Sequence, residues 1–247
     1  MYVPAPSLNG RALVWVSRDG SEEPLSLEPQ AFSDPRLSPR GDRIAVAVSD
    51  GDHQDIWVYD LNSDSRRRVT FEGRNLRPVW SPDGTHVAFG SNRAGKSDIY
   101  LKSADGGGTA EPLLSSGLWT LPDSWAPDGD TLAFTEEKAT EASRVSMLRV
   151  RGADSLQTVI EADARGAQFS PDGRFVAYEV AGEIQVRPFP QMGESRWQLS
   201  TDGGTGPIWG RHGRELFYRR GNAIIAVPIV TEPAFEFGLG APTMRGR

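Results

Sequence analysis

The apolar positions of this chain fall in short runs separated by tight polar turns, and one such unit returns through the sequence. Its clearest copy is Arg77-Pro78-Val79-Trp80-Ser81-Pro82-Asp83-Gly84-Thr85-His86-Val87-Ala88-Phe89. Val79 and Trp80 end one apolar run. Pro82 presets the backbone for a turn that Asp83-Gly84 completes. Val87 and Phe89 then alternate at period two, as a half-buried strand does. Four further copies are Leu37-Ser38-Pro39-Arg40-Gly41 before Ile44-Ala45-Val46, Trp125-Ala126-Pro127-Asp128-Gly129 before Leu132-Ala133-Phe134, Phe169-Ser170-Pro171-Asp172-Gly173 before Val176-Ala177-Tyr178, and Trp209-Gly210-Arg211-His212-Gly213 before Leu216-Phe217-Tyr218. Arg40 and His212 replace the Asp, and Gly210-Arg211 replaces Ser-Pro, but the turn glycine stands in every copy.

The residue three before that glycine lies at 38, 81, 126, 170 and 210, giving spacings of 43, 45, 44 and 40. A period of about 40–45 residues with four strands in each repeat marks propeller blades. Each blade is expected to run as inner strand a, the Pro-Asp-Gly turn, strand b, a loop, strand c, a second turn and outer strand d. Full blades then cover 34–72, 77–115, 121–161, 165–201 and 205–245. Strand c reads as Ile56-Trp57-Val58-Tyr59, Ile99-Tyr100-Leu101 and Ala223-Ile224-Ile225-Ala226-Val227. Strand d reads as Arg68-Val69-Thr70-Phe71 and Pro112-Leu113-Leu114, with a weak last strand near Thr243-Met244. The third blade has a longer b–c segment, Glu136 to Ser143, whose composition suits a short helical turn. Residues 1–33 read as a partial blade: Tyr2-Val3 as a remnant of strand b, Arg11 to Val16 as strand c, Asp19-Gly20 as a turn and Pro24 to Leu27 as strand d.

The expected fold is therefore all-β: a six-bladed β-propeller of four-stranded antiparallel blades, one domain over 1–247, with one blade incomplete or closed at the seam between the termini. Blades cannot cover their own faces, and stacking around a ring covers them.

Composition narrows the function classes. At 38% hydrophobic and 24% charged, the chain can build a globular core. Its net charge of −6 implies no general attraction to nucleic acid or an anionic membrane. Arg66-Arg67-Arg68 reads as a solvated strand edge. No cysteine is present, so no disulfide or thiolate metal site is available. No stretch approaches the ~20 apolar residues of a membrane span, so membrane insertion is not expected. Met1 to Pro6 lacks the basic and apolar regions of a signal peptide. The chain is expected to be a monomer or part of a larger chain.

Several stretches resemble a known family. The Ser-Pro-Asp-Gly turn, Ser91-Asn92-Arg93-Ala94-Gly95-Lys96-Ser97-Asp98-Ile99-Tyr100 and the Asp105-Gly106-Gly107 turn resemble the TolB-like, WD-repeat-like β-propeller repeats of bacteria. Trp15-Val16-Ser17-Arg18-Asp19-Gly20 and Trp197-Gln198-Leu199-Ser200-Thr201-Asp202-Gly203-Gly204 are similar to propeller regions C-terminal to some bacterial serine/threonine kinases. The resemblance implies a domain that binds proteins or ligands without catalysis, often outside the cytoplasm. Six-bladed propellers also host calcium-dependent lactonases and phosphotriesterases, so a hydrolase with its site in the central channel is the alternative.

The residues with chemical potential each have a simpler structural reading. Asp83, Asp128 and Asp172 follow a turn proline, where Asp caps its own backbone. Trp80, Trp125, Phe169 and Trp209 share one slot, filled by Leu37 in the first blade, and are expected to pack between blades. Asp50-Gly51-Asp52-His53-Gln54-Asp55 alternates oxygen ligands but has Asp55 and Leu61 where a calcium loop wants Gly and Glu, and reads as a polar b–c loop. The histidines His53, His86 and His212 share no pattern. No His-Glu-x-x-His helix or Gly-x-Ser-x-Gly elbow occurs, so no cofactor, metal or catalytic residue is expected. The candidate ligand-binding residues stand where the inner strands begin, at the channel mouth: Asp34, Arg36, Arg77, Trp119, Asp123, Arg165 and Gln168. They make either a salt-bridged ring or a polar funnel for a protein, peptide or small ligand.

Overall fold

The structure is a computed structural model that describes residues 10–138, 141–150, 156–160, 163–193 and 195–245. The strand remnant expected at Tyr2-Val3 lies outside the described residues. In chain order, β1 (Val14–Val16) and β2 (Glu22–Pro24) pair as a two-stranded sheet. The first blade holds β3 (Ala31–Leu37), β4 (Arg43–Asp50), β5 (His53–Asp60) and β6 (Arg66–Arg68). The second holds β7 (Asn75–Trp80), β8 (His86–Ser91), β9 (Asp98–Ser103) and β10 (Glu111–Leu114). The third holds β11 (Trp119–Trp125), β12 (Thr131–Lys138), β13 (Glu141–Arg149) and β14 (Leu156–Ile160). The fourth holds β15 (Ala164–Phe169), β16 (Phe175–Val180), β17 (Glu183–Pro188) and β18 (Trp197–Gln198). The fifth holds β19 (Thr205–Trp209), β20 (Glu215–Arg220), β21 (Ala223–Val230) and β22 (Glu236–Phe237), with β23 (Ala241–Arg245) also on β21.

The described residues thus form five blades, not six, and this corrects the count expected from the sequence. The sixth blade hung on residues 1–33, whose described part, residues 10–33, supplies β1, β2 and the opening of β3. No Pro-Asp-Gly turn precedes β1 to mark an inner strand. The C-terminal strand gives no help, because β23 pairs Ala223–Ala226 of β21 in its own sheet. A second correction concerns Glu136 to Ser143. This stretch is not an eight-residue loop with a helical turn: β12 runs to Lys138 and β13 resumes at Glu141.

The repeated turns are built alike. In each, the glycine sits at positive φ, from 69° at Gly213 to 77° at Gly41, a region that costs an L side chain energy. Its N–H donates to the carbonyl three residues back: Gly41 to Ser38 at 2.8 Å, and Gly84 to Ser81, Gly129 to Ala126, Gly173 to Ser170 and Gly213 to Gly210 at 2.9 Å. The preserved glycine therefore matters more than the Pro or Asp before it, which explains why the first and last copies tolerate Arg40 and His212.

The chain forms two compact units. One holds the chain through Val16, Glu22–Pro122 and Glu136–Lys138; the other holds Ser17–Ser21, Asp123–Thr135 and the chain from Glu141 on. In the first unit, β4 is buried on both faces. Ile44, Val46 and Val48 pack with Leu13, Leu25 and Leu27. Ala45 and Ala47 pack with Trp80, Val87 and Phe89. Small residues on one side leave room for the indole on the other. Trp80 is 6% exposed, its Nε1 donates to the Arg36 carbonyl at 2.9 Å, and the Arg43 guanidinium lies 4.8 Å from the ring centroid. In the second unit, Phe169 packs with Ala126, Ala133 and Val145, and Trp209 with Ala177, Ile184 and Val186. Trp209 Nε1 donates to the Gln168 carbonyl at 3.0 Å. The shared aromatic slot therefore serves packing in these blades. Leu37 is an exception, at 44% exposed, and Trp125 is only half-buried, with an indole N–H that finds no partner.

These contacts set an expected contrast. Trp80→Ala removes a buried ring and its hydrogen bond and should cost about 3–5 kcal/mol. Leu37→Ala, in the same slot but exposed, should change stability by no more than about 0.5 kcal/mol. Urea unfolding of both variants checks this, and equal losses would show that the slot does not bury its side chain.

Candidate functional site

Four inner strands carry a bulge at the same place. Ser33 and Arg36 of β3 pair with Ala47 and Ala45, so Asp34-Pro35 together oppose Val46. In β7, Leu76 and Val79 pair with Gly90 and Ala88, so Arg77-Pro78 oppose Phe89. In β15 and β19 the doubled residues are Gly166-Ala167 and Gly206-Pro207. The first residue of each pair is left-handed: φ is 52° at Asp34, 48° at Arg77, 65° at Gly166 and 60° at Gly206. Such a bulge asks for left-handed φ and leaves its second residue unpaired, which suits proline. In β11 the corresponding residue is Pro122, whose ring locks φ negative, so this strand cannot copy the device.

The candidate residues are placed as follows. Asp34 and Arg77, both half-buried, head the bulges of β3 and β7. Arg36 bonds the Pro35 carbonyl at 3.2 Å and accepts the Trp80 indole on its own carbonyl. Trp119 opens β11 and is 45% exposed. Asp123 is buried, 4% exposed; its Oδ2 accepts from Thr135 Oγ1 at 2.7 Å and Ala167 N at 3.2 Å. Gln168 Nε2 donates to the Asp123 carbonyl at 2.9 Å, which brings these two together. Arg165 pairs with Asp163 at 3.3 Å and Glu179 at 3.5 Å, acids of its own blade region. Asp123 and Gln168 thus stitch β11 to β15, whereas Trp119 and Arg165 present exposed side chains.

The turn aspartates cap their own backbone. Asp83 Oδ1 accepts from Ser81 Oγ at 2.6 Å, Thr85 N at 2.9 Å and Thr85 Oγ1 at 2.8 Å. These bonds hold its pKa down, from the ordinary 3.8 to about 2. Asp172 would be pushed up by burial, but the Ser170 hydroxyl and the Arg174 amide and guanidinium hold it below the ordinary value. Asp128 accepts from Asp130 N at 2.9 Å. In the first blade, where Arg40 fills the Asp slot, Asp42 receives the Ser38 hydroxyl at 2.7 Å instead.

Sequence reasoning missed a second repeated device, an acid at the start of strand c clasped to a hydroxyl at the end of strand d. Thr70 Oγ1 donates to Asp55 Oδ1 at 2.8 Å and accepts Ile56 N at 2.9 Å. Ser115 donates to Asp98 Oδ2 at 3.1 Å. Ser200 donates to Glu183 and accepts Ile184 N at 2.8 Å. The signal was an acid before Ile, in Asp55-Ile56, Asp98-Ile99 and Glu183-Ile184. Around the first clasp, Asn75 is fully buried and donates to the Gln54 carbonyl and Asp55 Oδ1, each at 3.1 Å. The stretch from Asp50 to Asp55 is not an open loop: β4 and β5 pair up to Asp50 and His53, and only Gly51-Asp52 turns between them. Asp55 is engaged by protein donors, so this stretch is not a calcium loop. Among the described residues, no three His, Asp or Glu side chains gather so as to hold a metal ion.

The Asp83 bonds predict a pH dependence. A carboxyl whose folded pKa is depressed contributes stability above its unfolded pKa and loses it as pH falls through the folded value. Wild type should exceed Asp83→Asn in stability at neutral pH, and the gap should close between about pH 4 and about pH 2. Urea titrations across that range check it; a gap that persists unchanged would mean the carboxylate charge is not what the turn uses.

Comparison with known proteins agrees with this architecture. A family model described as the TolB beta propeller domain matches residues 4–217. The chain is 29% identical over 152 residues to the uncharacterized peptidase YuxL of Bacillus subtilis, covering 58% of this chain and 22% of that protein. It is 30% identical over 151 residues to the Tol-Pal system protein TolB of Francisella tularensis, covering 59% of this chain and 34% of that one. The chain therefore spans only about a third or less of these curated relatives. The crystal structure of TolB from Acinetobacter baumannii shares the fold, with a TM-score of 0.74 at 20% identity over 96% of this chain and 60% of that chain. Turns, strand order and the match over residues 4–217 lead to one conclusion: the chain belongs to the TolB β-propeller domain family.

Proposed function

We propose that this chain is a binding propeller, without catalysis of its own, that receives a protein or peptide at the ends where strands a begin and strands b turn into c. One observation carries this reading. In β15 and β19 the strained bulge position is filled by Gly166 and Gly206, for which left-handed φ is free of strain. In β3 and β7 the same position keeps Asp34 and Arg77, at a backbone cost on the order of 1 kcal/mol each. Side chains retained against that cost point to a role for the side chain itself. Both charge signs stand there, which favours a partner of mixed charge. Loop ends on a rigid scaffold are where binding residues usually sit.

The relatives support the same direction. TolB of Francisella tularensis is named for the Tol-Pal system, a multi-protein context, and the family resemblance fits an extracytoplasmic setting. No helix among the described residues is long and apolar enough to cross a membrane. A calcium-dependent hydrolase is not favoured. Of its two candidate carboxylates, Asp123 is engaged by Thr135 and Ala167. The peptidase name of the Bacillus subtilis protein belongs to a chain more than four times as long as the matched part.

The test is a screen of peptides and fragments by thermal shift and NMR. Asp34→Gly and Arg77→Gly should leave stability equal or raised by about 1 kcal/mol, because glycine relieves the left-handed strain. The same variants, with Trp119→Ala, should weaken the hits. Hits that ignore all three variants but vanish in Asp83→Asn, without loss of folding, would place binding at the Pro-Asp-Gly turn and reject this reading.

A further inference from the structure

The acid–hydroxyl clasps of the first two blades differ in one respect. The carboxylate of Asp55 is saturated: Arg68 Nη2 reaches Oδ2 at 2.5 Å, while Thr70 and Asn75 serve Oδ1 at 2.8 and 3.1 Å. Asp98 occupies the same place in β9. It is buried, 7% exposed, and Ser115 Oγ bonds its Oδ2 at 3.1 Å. Its Oδ1 is buried and has no hydrogen-bond partner. The register shows what is missing. Arg68 stands opposite Trp57 in the first blade, and Pro112 stands opposite the matching Tyr100 in the second. Proline brings no donor. Thr120, at the place of Asn75, turns its hydroxyl to the Ser97 carbonyl at 2.8 Å instead. A buried carboxylate oxygen without a donor is costly to keep, whereas one matched to an incoming cation is recovered on binding.

We infer that Asp98 is a receptor for a guanidinium, the arginine side chain of a bound peptide or protein, which takes the place that Arg68 holds in the first blade. This deepens the binding role proposed above and rests on it. The chemistry favours guanidinium over a metal ion, because a lone carboxylate is a poor shell for a hard cation but matches the planar donor fork of arginine. Asp98 follows the β8–β9 loop, at the end of the blade where binding is proposed. The segment over it is short and held by side chains: Ser115 bonds Asp98, and Lys96 Nζ bonds the Gly117 carbonyl at 2.6 Å. Lys96 and Gly117 are exposed, and so is Trp119 just beyond. An arginine reaches Oδ1 by displacing this segment.

The experiment uses the full chain with a doubly blocked arginine, N-acetyl-arginine methylamide, as probe, and the citrulline analogue and ammonium chloride as controls. Amide NMR shifts at Ser97 to Leu118 should follow the arginine probe and not the other two. Asp98→Asn keeps the shape without the charge and should weaken binding by about tenfold or more. Pro112→Arg supplies a guanidinium from the chain's own edge strand; it should abolish binding and raise Tm. No response to the arginine probe, an equal response to citrulline or ammonium, or binding retained in folded Asp98→Asn or Pro112→Arg would each overturn the inference. Screen hits that still depend on Asp34 and Arg77 would in that case leave the proposed function standing.

Discussion

A sheet with two apolar faces cannot be left alone in water, and this constraint shapes the protein. In β4 the residues from Ile44 to Val48 are all buried, alternate ones facing opposite neighbours. Burying both faces asks one side to be thin where the other is thick. Ala45 and Ala47 meet the Trp80 indole; Ala177 meets Trp209; Ala126 and Ala133 meet Phe169. The indole N–H would be costly inside such a stack, and in two blades it finds a carbonyl of the preceding inner strand. In those two blades packing and polar satisfaction are met by one side chain. This is nearest-neighbour stabilisation, in which each repeat depends on the one beside it.

Much of this was legible in the residues because the chemistry is local. A glycine after Pro-Asp says turn wherever it occurs, and apolar pairs on either side say strand, so each repeated unit stood close to where it was expected. The blade count was not legible, because it depended on residues 1–33, which carry no copy of the repeated turn. Glu136 misled for a different reason. A run of charged residues reads as a loop, yet Glu136 is 1% exposed within β12, beside the fully buried Thr135.

The candidate site shows the same division. Asp34 and Arg77 were expected where the inner strands begin; they sit inside β3 and β7 instead, at the bulges. That both are left-handed was not legible, since a bulge is a property of pairing register between two strands. Asp123 was a candidate channel-mouth residue by position, but its carboxylate accepts from Thr135 Oγ1 and from the Ala167 amide of β15. The clasps were hidden because an acid and a hydroxyl separated by a whole hairpin share no short motif. They are nonetheless what ties the outermost strand back to its sheet.

Some of those outermost strands are brief. β6 has three residues, and β18 and β22 have two each, against four in β10 and five in β14 and β23. A long open edge is a template on which another chain adds a strand, and such pairing leads to aggregation. Three residues of β6, all arginine, offer few free backbone groups and a repulsive fringe to another copy of the same edge. At that edge the arginines disfavour rim-to-rim pairing of two copies.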